Sequence, residues 1–128
     1  MEKRLSPGIK TVRIIFCVLA ILFGICVLIQ VFLAGLAIFY GPDNWSRHTS
    51  FIHLFEYLPI LMFILSFFGR IKGAARWLSF GLILLIMVQY ATVKGLPEVG
   101  YLAALHPVVA LLIFWAAIVV IRRSLRLF

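Results

Sequence analysis

Four apolar runs, each long enough to cross a lipid bilayer, dictate what this chain can fold into. A helix rises about 1.5 Å per residue, so roughly 20 apolar residues cross a hydrocarbon core. The runs cover about 12–40, 45–68, 77–93 and 101–121. Turn signals separate them: Gly41-Pro42-Asp43-Asn44, then Gly69 to Arg76, then Gly95-Leu96-Pro97. Asp43 or Asn44 is the expected N-cap of the second helix. Hydrophobic residues make up 65% of the chain and charged ones only 12%, against roughly 25% charged in a soluble domain. Such a chain cannot cover a water-facing surface with polar groups, so it belongs in lipid. The expectation is an all-α, integral membrane four-helix up-down bundle, one domain over residues 1–128.

Basic residues set the expected orientation. Lys3, Arg4, Lys10 and Arg13 precede or open the first run. Arg70, Lys72 and Arg76 lie between the second and third, and Arg122, Arg123 and Arg126 follow the fourth. Only Arg47 and Lys94 fall at the opposite end. The positive-inside rule then predicts both termini in the cytoplasm, with a bacterial cytoplasmic membrane as the expected location. The net charge of +8 is topological information and does not point to nucleic acid. The first apolar run is far longer than a signal-peptide h-region of about 7–15 residues, so it reads as an uncleaved span. Cys17 and Cys26 are nine apart on one helix, on opposite faces and about 13 Å apart along the axis. They cannot pair with each other.

Ionisable groups inside a bilayer are costly and mark functional sites. Here the candidates are Gln30, His48, His53, Glu56, Gln89 and His106, all in the half away from the basic clusters, where the other half has almost nothing polar except Ser66 and Ser79. That one-sided distribution weighs against a simple pore. His53 lies 16 residues before Gly69, and His106 lies 16 before Arg122. Equal depth on two helices predicts facing imidazoles, the arrangement by which helical bundles hold a haem iron. The expected cofactor is haem b, with His53 and His106 as ligands and His48 as the alternative. Glu56, Gln30, Gln89 and Tyr57 would line the site, and Arg47 would meet the propionates. Electron transfer with a quinone or a membrane redox partner is the corresponding role.

His53, Glu56 and Tyr57 share one face of the second helix at spacings of three and four. His48, five before His53, is expected to point elsewhere, toward the surface or another helix. Ala103, His106, Ala110 and Ala117 form a narrow stripe that leaves room for a macrocycle or a helix backbone. Pro59 falls inside the second helix. Pro107 to Ile121 is too short to span, at about 22 Å, so the fourth helix should begin earlier and bend at Pro107. Each proline would free a carbonyl, at Phe55 and Ala103. A faint repeat relates Ile29-Gln30-Val31 to Val88-Gln89-Tyr90, each followed by a histidine-bearing helix. By it His48 and His106 lie 18 and 17 residues after their glutamines.

Two other readings compete with haem. Glu56, a lone membrane carboxylate, suits a small proton-coupled transporter, with a homodimer completing the pathway. Alternatively the polar residues are inter-helix hydrogen bonds in a non-enzymatic accessory or assembly subunit. A zinc site from His48, His53, Glu56 and His106 suffers from poor i, i+5 histidine spacing. There is no Gly-rich phosphate loop, CxxC or HExxH.

The chain resembles a group of uncharacterised small bacterial four-helix membrane proteins. The resemblance is carried by Gln30-Val31-Phe32-Leu33-Ala34-Gly35, by Trp45 to His48 with His53, Glu56 and Pro59, and by Ala104-Leu105-His106-Pro107. It covers nearly the whole chain and implies the four-span fold without an activity. By layout alone the chain is also similar to the haem-bearing cores of membrane cytochromes b, an analogy of fold and not of function.

Overall fold

In a computed structural model the described residues are 6–94 and 100–128, and all regular structure among them is helical. The α-helices are α1 (Pro7–Phe39), α2 (Trp45–Phe51), α3 (Leu58–Phe68), α4 (Ala74–Lys94) and α5 (Leu105–Leu125). Short 3-10 turns precede α2 (Pro42–Asn44), join α2 to α3 (Ile52–Leu54) and precede α5 (Gly100–Ala104). Four stretches are long and apolar enough to cross a membrane: Pro7–Phe39, Pro42–Phe68, Ala74–Lys94 and Gly100–Leu125. Each of α1 and α4 packs against both α3 and α5, so the spans form a ring in chain order, with α3 diagonal to α5. The chain is a multi-pass membrane protein of the expected all-α class. The expected Gly95-Leu96-Pro97 turn lies outside the described residues.

Every span shows one inward stripe at helical spacing. On α1 it is Phe16, Ala20, Phe23 and Val27; on α3, Pro59, Met62 and Ser66, with Phe55 just ahead; on α4, Ala75, Ser79, Leu82 and Ile86; on α5, Val109, Ile113, Ala117, Val120 and Ser124. The outward faces are as apolar as the core: Phe32, Met87 and Leu111 are each more than 60% exposed. No water-soluble fold leaves that much large hydrophobic surface uncovered, and lipid covers it here.

The basic end is fastened by side chains reaching backbone carbonyls. Arg13 donates from Nε to Gly69 O at 3.0 Å and from Nη1 to Leu127 O at 3.2 Å. Arg76 donates to Ser66 Oγ and Ser66 O, both at 3.1 Å, and stacks on Phe67 at 4.2 Å. Buried Ser66, Ser79 and Ser124 each spend their proton on their own helix, at Phe63 O, Ala75 O and Ile121 O. Small hydroxyl residues of this kind let membrane helices approach closely. α3 closes in a Schellman turn: Ile71 N–H donates to Ser66 O at 2.8 Å and Arg70 N–H to Phe67 O at 3.2 Å. Arg70 occupies the left-handed position that the motif requires, with φ of 50°.

The prolines act differently from expectation. Pro59 does not kink a continuous helix; the second span breaks before it. Phe55 leaves helical geometry at φ −133°, and Pro59 sits in the first turn of the new helix α3, where its missing N–H costs nothing. The Phe55 carbonyl is not left free, because Leu58 N–H reaches it at 3.0 Å. Pro107 likewise lies in the first turn of α5, so the expected bend there is replaced by a 3-10 entry over Gly100–Ala104. Asn44 holds the N-cap position of α2 without capping it; its amide donates to Gly41 O at 3.0 Å.

Candidate functional site

At the end of the bundle opposite the arginines, the inward stripes turn polar together. Gln30 is the next inward position after Val27 on α1, and Gln89 follows Ile86 on α4 in the same way. His106 precedes Val109 on α5, and His48 lies two turns ahead of Phe55. All four are half-buried. Four helices therefore replace their hydrophobic layer by two amides and two imidazoles at one level.

Hydrogen bonds fix the histidine tautomers. His48 Nδ1 lies 3.0 Å from Gln30 O, and a carbonyl only accepts, so the proton is on Nδ1. The Gln30 amide returns the contact, donating to His48 O at 2.8 Å and standing 3.4 Å from His48 Nε2. Thr92 spends its hydroxyl proton on Gln89 O at 2.7 Å, so His106 Nδ1, 3.0 Å from the Thr92 oxygen, must be the donor there. Both rings therefore keep Nε2 as the acceptor nitrogen, that of His48 facing the Gln30 amide at 3.4 Å. Their centroids lie 6.3 Å apart, with planes at 62°, and Trp45 stands edge-on to His48 at 5.6 Å. Below them Phe55 packs on Phe23 at 5.8 Å and on Phe51 at 5.3 Å. The Oε1 atoms of Gln30 and Gln89 are buried and have no donor.

His53 belongs to a second cluster. Its Nδ1 pairs with Glu56 Oε1 at 3.0 Å, and Tyr90 Oη donates to Glu56 Oε2 at 2.5 Å. The carboxylate is thus held between an imidazole on the second span and a phenol on α4. The His53 side chain is 57% exposed, while that of Glu56 is only 13% exposed. Glu56 closes the polar end of a groove of about 320 Å³ between α3 and α4, lined by Tyr57, Ile60, Ile83, Ile86, Met87 and Tyr90. Tyr57, Ile60 and Met87 are exposed, so the groove opens on the lipid-facing surface.

The expected pairing of His53 with His106 is therefore replaced. His106 meets His48, the alternative, and His53 meets Glu56 and Tyr90. Equal depth was the wrong criterion, because a residue must also share the phase of the inward stripe. His48 is seven residues, two full turns, from buried Phe55, whereas His53 is two residues away and points off the core. Gln30 and Gln89 stand at the His48–His106 layer and Tyr57 at the groove, while Arg47 is exposed on α2. Among the described residues no three metal-binding side chains come together, so the four-residue zinc set is not assembled. Sequence reading passed over Thr92 and gave Tyr90 no polar role. The signal was available in their positions, three and one residues after Gln89.

The model of a family described as "Family of unknown function (DUF6220)" matches residues 30–95, just over half of the 128-residue chain. The match takes in Gln30, His48, His53, Glu56, Gln89, Tyr90 and Thr92 and stops short of His106. No curated protein and no solved structure matches the chain.

Proposed function

We propose that this chain, which belongs to the family of unknown function DUF6220, is a proton-linked membrane carrier for amphipathic cations, with Glu56 as the exchange site. The observation that carries the reading is the position of the Glu56 carboxylate, half-buried at the polar end of an apolar, lipid-opening groove. A molecule with a hydrophobic body and a cationic head matches both parts: the body lies on Ile60, Ile83, Ile86 and Met87, and the head pairs with the carboxylate. A charge in lipid is costly unless it is paired, and His53 Nδ1 and Tyr90 Oη pair the Glu56 carboxylate; the cation takes the place of the proton that the His53–Glu56 pair holds. Arrival of the cation displaces the proton, and the net charge of the site stays constant.

His53 supplies the route for that proton. With Nδ1 on Glu56 and the rest of the ring exposed, it takes a proton from water at Nε2 and passes one from Nδ1 to the carboxylate. Tyr90 holds the other oxygen and fixes the orientation of the carboxyl group. In this reading the basic end faces the cytoplasm and the Glu56 groove lies in the outer leaflet. Haem b with a quinone partner was expected on His53 and His106, with His48 as the alternative; the first pair does not meet, and the second, His48 with His106, is the pair that does. The inter-helix hydrogen bonds of Gln30 with His48, Thr92 with His106 and Tyr90 with Glu56 are what the accessory-subunit reading expects, but that reading gives the Glu56 groove no role.

The test is titration of purified protein with tetraphenylphosphonium in a weakly buffered detergent solution. Saturable binding with release of one proton per cation is expected, and both signals should vanish in Glu56→Gln. Saturable binding without proton release, equal binding by a folded Glu56→Gln variant, or no binding by the wild-type protein would each end the proposal.

A further inference from the structure

We infer that His48 and His106 form a two-imidazole site for one monovalent soft metal ion of the copper(I) class, separate from the Glu56 groove. Two observations lead there. Both rings have Nδ1 committed to the protein, at Gln30 O and Thr92 Oγ1, which leaves both Nε2 atoms as acceptors, that of His48 met only by the Gln30 amide at 3.4 Å. An engaged second nitrogen is the arrangement that fixes the tautomer of metal-ligating histidines and raises their basicity. The ring spacing is also right. An ion about 2 Å from one nitrogen of each ring needs ring centres no more than roughly 6.4 Å apart, and here they are 6.3 Å apart. At that spacing an ion bound to both Nε2 atoms would have to lie close to the line between the rings, which is two-coordinate geometry.

Charge selects the ion. Among the described residues no carboxylate or thiol joins the two imidazoles. The cost of bringing an ion into a low-dielectric interior rises with the square of its charge, so a divalent ion costs about four times a monovalent one. Imidazole donors suit zinc and copper alike, and two-coordinate geometry in an apolar setting favours copper(I) over zinc or copper(II), which take more ligands. The unpartnered Oε1 atoms of Gln30 and Gln89, at the same layer, add negative dipole ends without adding charge. The long 3.4 Å approach of the Gln30 amide to His48 Nε2 is the contact an ion would displace. The better one, to His48 O at 2.8 Å, survives.

The experiment is anaerobic copper(I) titration of the detergent-purified protein against a chromogenic chelator. It uses a Cys17→Ser, Cys26→Ser background, so that the two thiols do not contribute. One ion per chain is expected, with a first shell of two nitrogen scatterers by X-ray absorption. Affinity should fall at least tenfold in His48→Ala and in His106→Gln, and stay within twofold in His53→Ala and Glu56→Gln. Thermal melting establishes that each variant is folded; His106→Gln keeps a polar partner for Thr92 if alanine is not tolerated. The inference is overturned if the folded parent binds no copper(I), if both histidine variants bind as the parent does, or if the protein purifies with a haem absorption band. The Glu56→Gln comparison separates failure here from failure of the carrier reading.

Discussion

His48 and Gln30 hold each other twice: the imidazole Nδ1 donates to the Gln30 backbone carbonyl at 3.0 Å, and the Gln30 side-chain amide donates to the His48 carbonyl at 2.8 Å. The second half of the chain repeats the relationship with one insertion. His106 reaches the Gln89 carbonyl through the hydroxyl of Thr92. The two hairpins thus bind their histidines at the same point of a weak internal repeat, once directly and once through a side chain.

That asymmetry separates the two glutamines. Gln30→Leu removes the donor to His48 O and should destabilise the protein by about 1–2 kcal/mol, since a part-buried carbonyl loses its partner. Gln89→Leu removes an amide oxygen that has no donor, and should be neutral or slightly stabilising. Thermal melting of both variants in one detergent checks the contrast. Equal losses would show that the Gln89 side chain has a donor in solution.

Tyr90 and Glu56 are 34 residues apart in sequence and meet at 2.5 Å across the groove. A hydrogen bond to a charged group contributes about 1.5–3 kcal/mol. Tyr90→Phe and Glu56→Gln should therefore be strongly non-additive in a double-mutant cycle, with a coupling energy above about 1 kcal/mol. The other contact of the phenol, to His53 Nδ1 at 3.4 Å, is too long to carry a coupling of that size. Additive losses would mean that the phenol and the carboxylate do not interact in solution.

Arg70 adopts φ of 50° at the end of α3, in the left-handed region that glycine occupies without strain. Arg70→Gly keeps both Schellman hydrogen bonds and should raise the melting free energy by about 0.5–1 kcal/mol. Arg70→Val should lower it, because a β-branched side chain tolerates that backbone worst. The order Gly above Arg above Val in melting temperature is the checkable outcome.

The architecture was legible because apolar length and basic clustering each have a single physical cause, lipid thickness and charge exclusion. The bundle, its four spans and the polar half at one end all follow from them. The site was only partly legible. Counting residues from the basic end gives depth along a span but not direction around it, and this gave His53 a partner that the fold assigns to His48. Direction was readable from the inward stripes, since Gln30, Gln89 and His106 each continue one. For His48 the phase depends on the break at Phe55–Tyr57, which Pro59 causes but whose geometry no periodicity specifies. The bond from Tyr90 to Glu56 joins two spans, and nothing local to either sequence announces it.

A tight approach between α1 and α5 gives a prediction that turns on one methyl group. A β-carbon added at Gly24 would meet Ile121 Cδ1 at 3.0 Å. Glycine inside a helix costs about 0.8–1 kcal/mol relative to alanine, so Gly24→Ala gains helix propensity and loses packing. In the native background the two terms oppose each other, and the net change should be within about 1 kcal/mol of zero. Ile121→Val deletes the offending methyl and alone should cost about 0.5–1.5 kcal/mol. Combined, the new β-carbon occupies the space vacated by Cδ1, and the double variant should be more stable than Ile121→Val by about 1 kcal/mol. Melting of the four proteins in one detergent reads the cycle directly. Strict additivity would mean that α1 and α5 are not in contact at Gly24, and the packing order of the bundle would have to be redrawn.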